Sequence, residues 1–377
     1  MRPTVAKINL QALRSNLAVV RSIVGADVGI IPVVKADAYG HGAVAVAWVL
    51  TEAGVDLMAV ACIEEALDLV DAGVPARLIL LGGVYDERSV VEVPPNCIPV
   101  VWDKKGIKLA ASLPSASGRP VEVHVKVNTG MARLGCEPFD VPVLFEVARG
   151  YPHVRITGVL SHLASADETG PEDSSFTRKQ IMDFHAVCKP IAMGILRHLA
   201  ASAALIRYPD ARFDAVRPGL MLYGIWPFDD DQPRGNVSPT DLKPVMSLVT
   251  KVLAIRDVDE EDSVGYGRSF IAKRRSRVAI LPIGYADGLS RQLSNCGQVI
   301  IGGLRRKIVG RVSMDYITVD VTDAPEVNQG SEAVLIGEQG GEKITAWEMA
   351  NWAGTIPYEI TCGISRRVPR MVVDDYY

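Results

Sequence analysis

The sequence predicts an α/β protein in two parts, a run of parallel β/α units followed by a mostly β domain. Three observations predict it. Between Val28 and about Trp226, short apolar runs rich in β-branched residues alternate with helical patterns, the signature of parallel strands joined by helices. Between Phe228 and Pro244 the composition turns to Asp, Pro, Gly, Asn and Ser, as in a linker. Beyond it, strand-like runs are separated by short polar turns. At 377 residues the chain is long for one domain and suits two, each able to bury a core. We divide it into 1–235 and 236–377, with the N-terminal strand a candidate to join the second part.

The start, Met1 to Leu10, alternates as a strand does and lacks the apolar core of a signal peptide. The run Val28 to Val34 reads as a strand buried on both faces, and Gly42 to Leu50 as the helix after it. Further strands are expected at Leu57 to Ala61, Arg77 to Leu81, Ile98 to Trp102, Val121 to Val127 and Val154 to Leu160, with helices such as Ile63 to Ala72 and Val141 to Arg149. Fewer than eight strands stand out, so a (β/α)8 barrel and an open doubly wound sheet both fit this pattern. In the second part, strands are expected at Ser247 to Ile255, Arg277 to Leu281, Gln298 to Ile301, Tyr316 to Val321 and Ala333 to Ile336, with a helical stretch near Trp347 to Trp352.

A net charge of −4 and the lack of any Lys/Arg-rich tract argue against nucleic acid or a membrane surface as partner. No apolar segment is long enough to span a bilayer, and a cytoplasmic protein acting on a small molecule is expected. The six cysteines form no Cys-x-x-Cys pair, so neither a metal site nor a disulfide framework is indicated. Dinucleotide, Walker-type and Gly-x-Ser-x-Gly motifs are missing as well.

Chemistry is concentrated at a few turns. Lys35 ends an apolar run and enters the glycine-punctuated segment Ala36-Asp37-Ala38-Tyr39-Gly40-His41-Gly42. A lysine held at the C-terminal end of a strand, where α/β barrels carry their chemistry, is a candidate Schiff-base former. The segment Val121 to Gly135 again runs from an alternating strand, through Lys126, into a glycine turn with Arg133. His162 follows the strand ending at Leu160. Tyr266 stands between Gly265 and Gly267, which permit close backbone approach.

Taken together, these segments resemble the alanine racemases, pyridoxal-phosphate enzymes of fold type III. The blocks run in one consistent order from Lys35 to Arg370, including Ala215 to Gly224, Pro282 to Gly288, Gly310 to Asp315 and Pro357 to Ile360. The resemblance implies an N-terminal (β/α)8 TIM-type barrel, a C-terminal mostly β domain, pyridoxal 5'-phosphate (PLP) as cofactor, and a homodimer with shared active sites. It implies interconversion of L-alanine and D-alanine, supplying D-alanine for cell-wall synthesis or serving alanine catabolism.

Residue roles follow from the same resemblance. Lys35 would carry the cofactor and act as one catalytic base, with Tyr266, from the partner subunit, as the other. Tyr39, Ser202, Gly219, Leu220 and Tyr358 would hold the phosphate. Arg133 would approach the cofactor's phenolic oxygen and the substrate, steadied by Lys126, a lysine often carbamylated in the family. Arg217 would face the pyridine nitrogen, and His162 would join it in a polar relay to Tyr266. Met314 and Tyr285 match substrate-pocket positions. The sequence departs from the family at Ala201, where many members carry asparagine.

Other activities of the same chemistry differ in testable features. A broad-specificity amino-acid racemase of this fold would accept serine or longer side chains. A diamino-acid decarboxylase would show a catalytic cysteine context, and a single-domain PLP carrier would lack the blocks around Tyr266 and Met314.

Overall fold

A computed structural model of the chain describes residues 2–114 and 120–373. The chain falls into two compact units, one of Leu13–Ala38 with Ala43–Lys243, the other of Met1–Ala12, Tyr39–Gly42 and Pro244–Tyr377.

In the first unit eight parallel strands follow one another in chain order: Gly29–Ile30, Leu57–Val60, Arg77–Leu80, Cys97–Val101, Val121–Lys126, Val154–Leu160, Leu196–Ala201 and Ala215–Arg217. The first strand pairs with the last through Gly29 and Ile30. On its other side, Val33 bridges Ala59, and Ala59 N–H reaches Pro32 O at 2.9 Å. The ring therefore closes as a (β/α)8 barrel, and the open sheet is excluded.

Two barrel strands lack the apolar run that marks the others. Leu196–Ala201 contains Arg197 and His198, and Ala215–Arg217 is three residues long and ends in a buried arginine. Ser202 opens the short helix Ser202–Arg207 just after a strand.

Around the ring, helices form where one stripe of side chains can be buried. Ile63, Ala66 and Leu69 provide that stripe on Ile63–Asp71, with Glu64 and Glu65 in the first turn. Asp103 caps Lys104–Ala111 by accepting from Gly106 N–H at 2.6 Å. Pro171 opens Pro171–Cys188 at a position where its missing N–H costs nothing.

The barrel interior is not uniformly apolar. His124 and His198, on strands separated by Val154–Leu160, are both buried and bonded to each other, Nδ1 of His124 to Nε2 of His198, at 3.0 Å. The intervening strand makes room for this pair with Gly158, where a Cβ would lie 2.5 Å from three atoms of the His124 ring.

The second unit is mostly β. Its main sheet runs Leu304–Lys307, Gln298–Ile301, Glu332–Gln339, Met246–Lys251, Val5–Asn9 and Arg370–Val373, with Glu342–Ile344 paired to Glu332–Gln339. The N-terminal strand thus lies antiparallel to Met246–Lys251 and parallel to Arg370–Val373. A second sheet contains Ala254–Val258, Ser276–Leu281 and Ile317–Asp320. The single run expected over Ser247 to Ile255 is therefore two strands in two sheets, broken at Val252 and Leu253. Val249, Ile300, Val334 and Ile344 form a core cluster. Helix Ala346–Ala353 begins with a reciprocal cap between Thr345 and Glu348 and ends at Gly354, φ 68°. Among the described residues no helix is long and apolar enough to cross a membrane.

The Gly158 contact sets a stability test. Gly158→Ala is expected to cost about 1–3 kcal/mol, because either the His124 ring or the strand must move. Thermal unfolding should begin earlier than in the parent; an unchanged transition would show that the interior yields freely.

Candidate active site

The candidate side chains of the barrel unit stand at or just beyond the C-terminal ends of its strands, where loops begin. Lys126 is the last residue of its strand, His162 lies two residues past another, and Arg217 ends the eighth.

Arg217 is the best fixed of them. Only 4% exposed, it spends its guanidinium on neutral acceptors. Nη1 donates to His198 Nδ1 at 2.8 Å and His198 O at 2.7 Å. Nη2 donates to Ser161 O at 2.6 Å, Leu199 O at 2.9 Å and His162 Nδ1 at 3.4 Å. These bonds fix proton positions further in. A His198 Nδ1 that accepts must carry its proton on Nε2, which then donates to His124 Nδ1. Burial holds both imidazoles well below the usual histidine range, so both are neutral. Burial also brings Arg217 down to about 10, which leaves it protonated at neutral pH.

Ser161 anchors the same layer. Its hydroxyl donates to Val127 O at 2.8 Å and lies 2.8 Å from Thr129 Oγ1, so Thr129 is the donor of that pair.

His162, Lys35, Lys126, Arg133 and Arg217 feel one another electrostatically. Burial first, then Arg217, Lys126, Arg133 and Lys35, pull His162 down to about 3. Burial, Arg133, Arg217 and Lys35 pull Lys126 down to about 8. The groups acting on each are all cations. Such a cluster is unfavourable alone and is relieved by an anion among its members.

Arg133 projects from a loop that the sequence stiffens. Asn128 Oδ1 accepts from Gly130 N–H at 3.2 Å and Ala132 N–H at 3.0 Å. At Gly135, φ 132°, a Cβ would lie 2.5 Å from Asn128 N. Only glycine lets the loop close back onto the strand.

Beside Arg217, Ser202 Oγ accepts from Gly219 N–H at 2.9 Å and Met221 N–H at 3.3 Å. Both lone pairs are then used, and the hydroxyl proton remains as a donor. Leu220 opens the 3₁₀ turn Leu220–Tyr223, so its N–H has no acceptor within that turn. Ala201, as N-cap of Ser202–Arg207, supplies no side-chain cap.

Lys35 opens a helical turn, Lys35–Gly40, of unusual hand. Ala36, Asp37, Ala38 and Tyr39 have φ of 51°, 54°, 53° and 55°. Left-handed backbone costs L-residues roughly 1–2 kcal/mol each, so the neighbours must hold this turn.

In the second unit, Tyr39 and Tyr358 pack with ring centroids 5.8 Å apart. Two loops there are laced together: Tyr285 N–H donates to Ser313 O and Ala286 N–H to Met314 O, each at 3.0 Å. Asp287, fully buried, steadies the Tyr285 loop by taking Arg2's fork at 2.8 and 2.7 Å and Gly284 N–H at 2.9 Å. Tyr266, Arg311, Ser313 and Tyr316 line one shallow depression. Tyr266 is 72% exposed.

Sequence reasoning named no role for His124, His198, Asn128 or Asp287. A signal existed for the first: counting back by two from Lys126 puts His124 on the same strand face.

Known proteins resemble the chain over nearly its whole length. The model for the alanine racemase N-terminal domain matches residues 8–227, and that for the alanine racemase C-terminal domain matches residues 245–372. Alanine racemase 2 of Caldanaerobacter subterraneus subsp. tengcongensis is 40% identical across 99% of this chain and 95% of its own. Among solved structures, the Bacillus anthracis alanine racemase with bound L-Ala-P is similar at a TM-score of 0.89 and 34% identity, covering 99% of this chain and 95% of that one. The Bartonella henselae alanine racemase with covalently bound pyridoxal phosphate is similar at a TM-score of 0.85 and 32% identity, covering 99% and 100%. Barrel, β domain and full-length similarity together place the chain in the alanine racemase family.

Proposed function

We propose that this chain interconverts L-alanine and D-alanine with PLP bound at the C-terminal end of its barrel. The observation that carries the proposal is the cluster of four cations around a neutral His162. Its residues fit the cofactor: a phosphate and a phenolic oxygen are the anionic groups the cluster wants, and Lys35 offers the amine that binds the aldehyde. The bound pyridoxal phosphate of the Bartonella henselae structure and the L-Ala-P of the Bacillus anthracis structure support the same pocket.

Tyr39, Ser202, Gly219, Leu220 and Tyr358 would hold the phosphate, with Ser202's remaining proton as one donor. Arg133 would serve the phenolic oxygen and the substrate carboxylate, and Arg217 the ring nitrogen. Tyr285 and Met314 would shape the substrate pocket. Once bound, PLP supplies electron withdrawal that acidifies the substrate's α-carbon. Arg217, a permanent donor, keeps its protons and so favours return of the proton to that carbon over transamination.

Inversion at a carbon needs one base on each face. Lys35 would take or deliver the α-proton on one face and Tyr266 on the other. A phenol near pKa 10 needs cations beside it to act near neutrality, and the Arg217–His162 pair is suited to that. We infer a homodimer in which Tyr266 of each subunit serves the partner's site. Tyr266, Tyr285 and Met314, at 72%, 44% and 52% exposure, form the surface such a partner would cover. Six cysteines without a Cys-x-x-Cys pair or a disulfide framework suit a reducing, cytoplasmic setting.

Purified protein given PLP and L-alanine should lose the circular dichroism of the amino acid and settle at a racemic mixture. No change with alanine, but turnover of serine or longer amino acids, would instead identify a racemase of different specificity.

Lys126 gives a pH-dependent prediction. With its pKa pulled down to about 8, a large share of its amine is neutral near that pH. That amine can attack CO2, forming a carbamate and releasing a proton; the new anion would sit among Arg133, Arg217 and Lys35. After exposure to ¹³C-bicarbonate, NMR should show a carbamate signal that rises as pH climbs through about 8 and is absent in Lys126→Ala. A spectrum identical in both proteins would rule the modification out.

Complementation tests the shared site. Lys35→Ala and Tyr266→Ala homodimers should each be nearly inactive. Refolded together with PLP, they should regain up to roughly a quarter of parental activity, since half the dimers mix and each mixed dimer holds one intact site. Proven mixed dimers without activity would assign both bases to one chain.

A further inference from the structure

The left-handed turn after Lys35 is held from outside by two carboxylates. Glu65, half-buried on helix Ile63–Asp71, accepts Ala36 N–H at Oε1 and Ala61 N–H at Oε2, both at 2.7 Å. Asp37 accepts Ala43 N–H at 2.7 Å and so ties the turn to the start of helix Ala43–Glu52. Ala38 N–H returns to Val34 O at 2.9 Å.

Glu65 differs from Asp37 in what it joins. Ala36 is the residue directly after Lys35, and Ala61 is the residue directly after the strand Leu57–Val60. That strand is the one that Val33 bridges and Val34 N–H bonds, at Ala59. One carboxylate thus fixes the exits of two adjacent barrel strands against each other. Carboxylate chemistry suits the task, because each of its two oxygens takes a separate N–H and neither can donate. Glutamine keeps only one such acceptor.

We propose that Glu65 is a positioning residue for Lys35: by holding Ala36 N–H it maintains the left-handed turn, and through it the direction in which the Lys35 side chain leaves the barrel. The proposal rests on Lys35 being the cofactor lysine and catalytic base. A role confined to loop stability would lower the unfolding temperature without changing turnover by the surviving folded enzyme.

The test compares the parent holoenzyme with Glu65→Ala, Glu65→Gln and the double variant Ala36→Gly/Glu65→Ala. Glycine takes positive φ without a Cβ penalty, so the double variant can keep the turn's hand without the carboxylate. Misplacing Lys35 should lower kcat about 100-fold in Glu65→Ala. KM for alanine should stay within about threefold, because substrate binding is not what is lost. Glu65→Gln should fall between, and Ala36→Gly should restore about tenfold or more of the loss. A crystal structure of Glu65→Ala should show Ala36 relaxed out of the positive-φ region.

A kcat within about threefold of the parent overturns the proposal. So does a loss that Ala36→Gly does not recover, or a turn left unchanged in the crystal. If Glu65→Ala does not fold, Glu65→Gln with and without Ala36→Gly is judged by the same criteria. A parent that fails to racemise alanine would remove the functional reading, while the backbone of the variant would still decide whether Glu65 holds the turn.

Discussion

The arrangement depends on keeping a guanidinium in the barrel without a carboxylate beside it. An ion pair would hold Arg217 most simply, yet among the described residues its fork reaches carbonyls and imidazoles. Removing such a charge from water costs several kcal/mol, and charge-assisted hydrogen bonds offset only part of it. Much of the barrel's interior follows from this solution. His198 must accept at Nδ1, so it donates inward; His124 must be there to receive the proton; Gly158 must lack a side chain because His124 occupies its space. Burial pushes down His162 and Lys126 at the mouth, and the retained positive charge adds to it. A carboxylate opposite Arg217 would have offset its charge and removed one of the four cations that act on His162.

Much of the fold was legible because buried parallel strands write themselves as apolar runs. Legibility failed where strands carry the chemistry. His198 interrupts the Leu196–Ala201 run, and Ala215–Arg217 is too short and too polar at its end to register as a strand. The barrel was therefore countable only in part from periodicity, and closure rested on resemblance until the Val33–Ala59 bridge was seen. In the second unit, Val252 and Leu253 divide a continuous apolar run between two sheets, a break that composition cannot mark.

The candidate residues were legible as motifs, but their supports were not. Lys35, Lys126, Arg133, His162 and Arg217 stand at turns whose glycines and strand ends announce them. What orders them is local only for Arg133, whose loop Asn128 ties; it comes from other elements for Arg217, through His198, and for the Tyr285 loop, through Arg2 and Asp287. Contacts such as Arg2 with Asp287, 285 residues apart, leave no local pattern to read. The left-handed turn is hidden for a different reason. Ala36, Asp37, Ala38 and Tyr39 are ordinary L-residues with no preference for that region, so their conformation is imposed by partners.

The strand Val5–Asn9 lies between Met246–Lys251 and Arg370–Val373 in one sheet. The barrel segments lie between it and both of its partners in the chain. At ordinary elongation rates of about 5–20 residues per second, that gap lasts on the order of tens of seconds. While the barrel segments are being made the strand waits with both edges unpaired, a form open to pairing with another nascent chain. Synthesis speed and chaperone cover therefore bear on the yield of this enzyme more than on that of a protein whose strands pair with near neighbours.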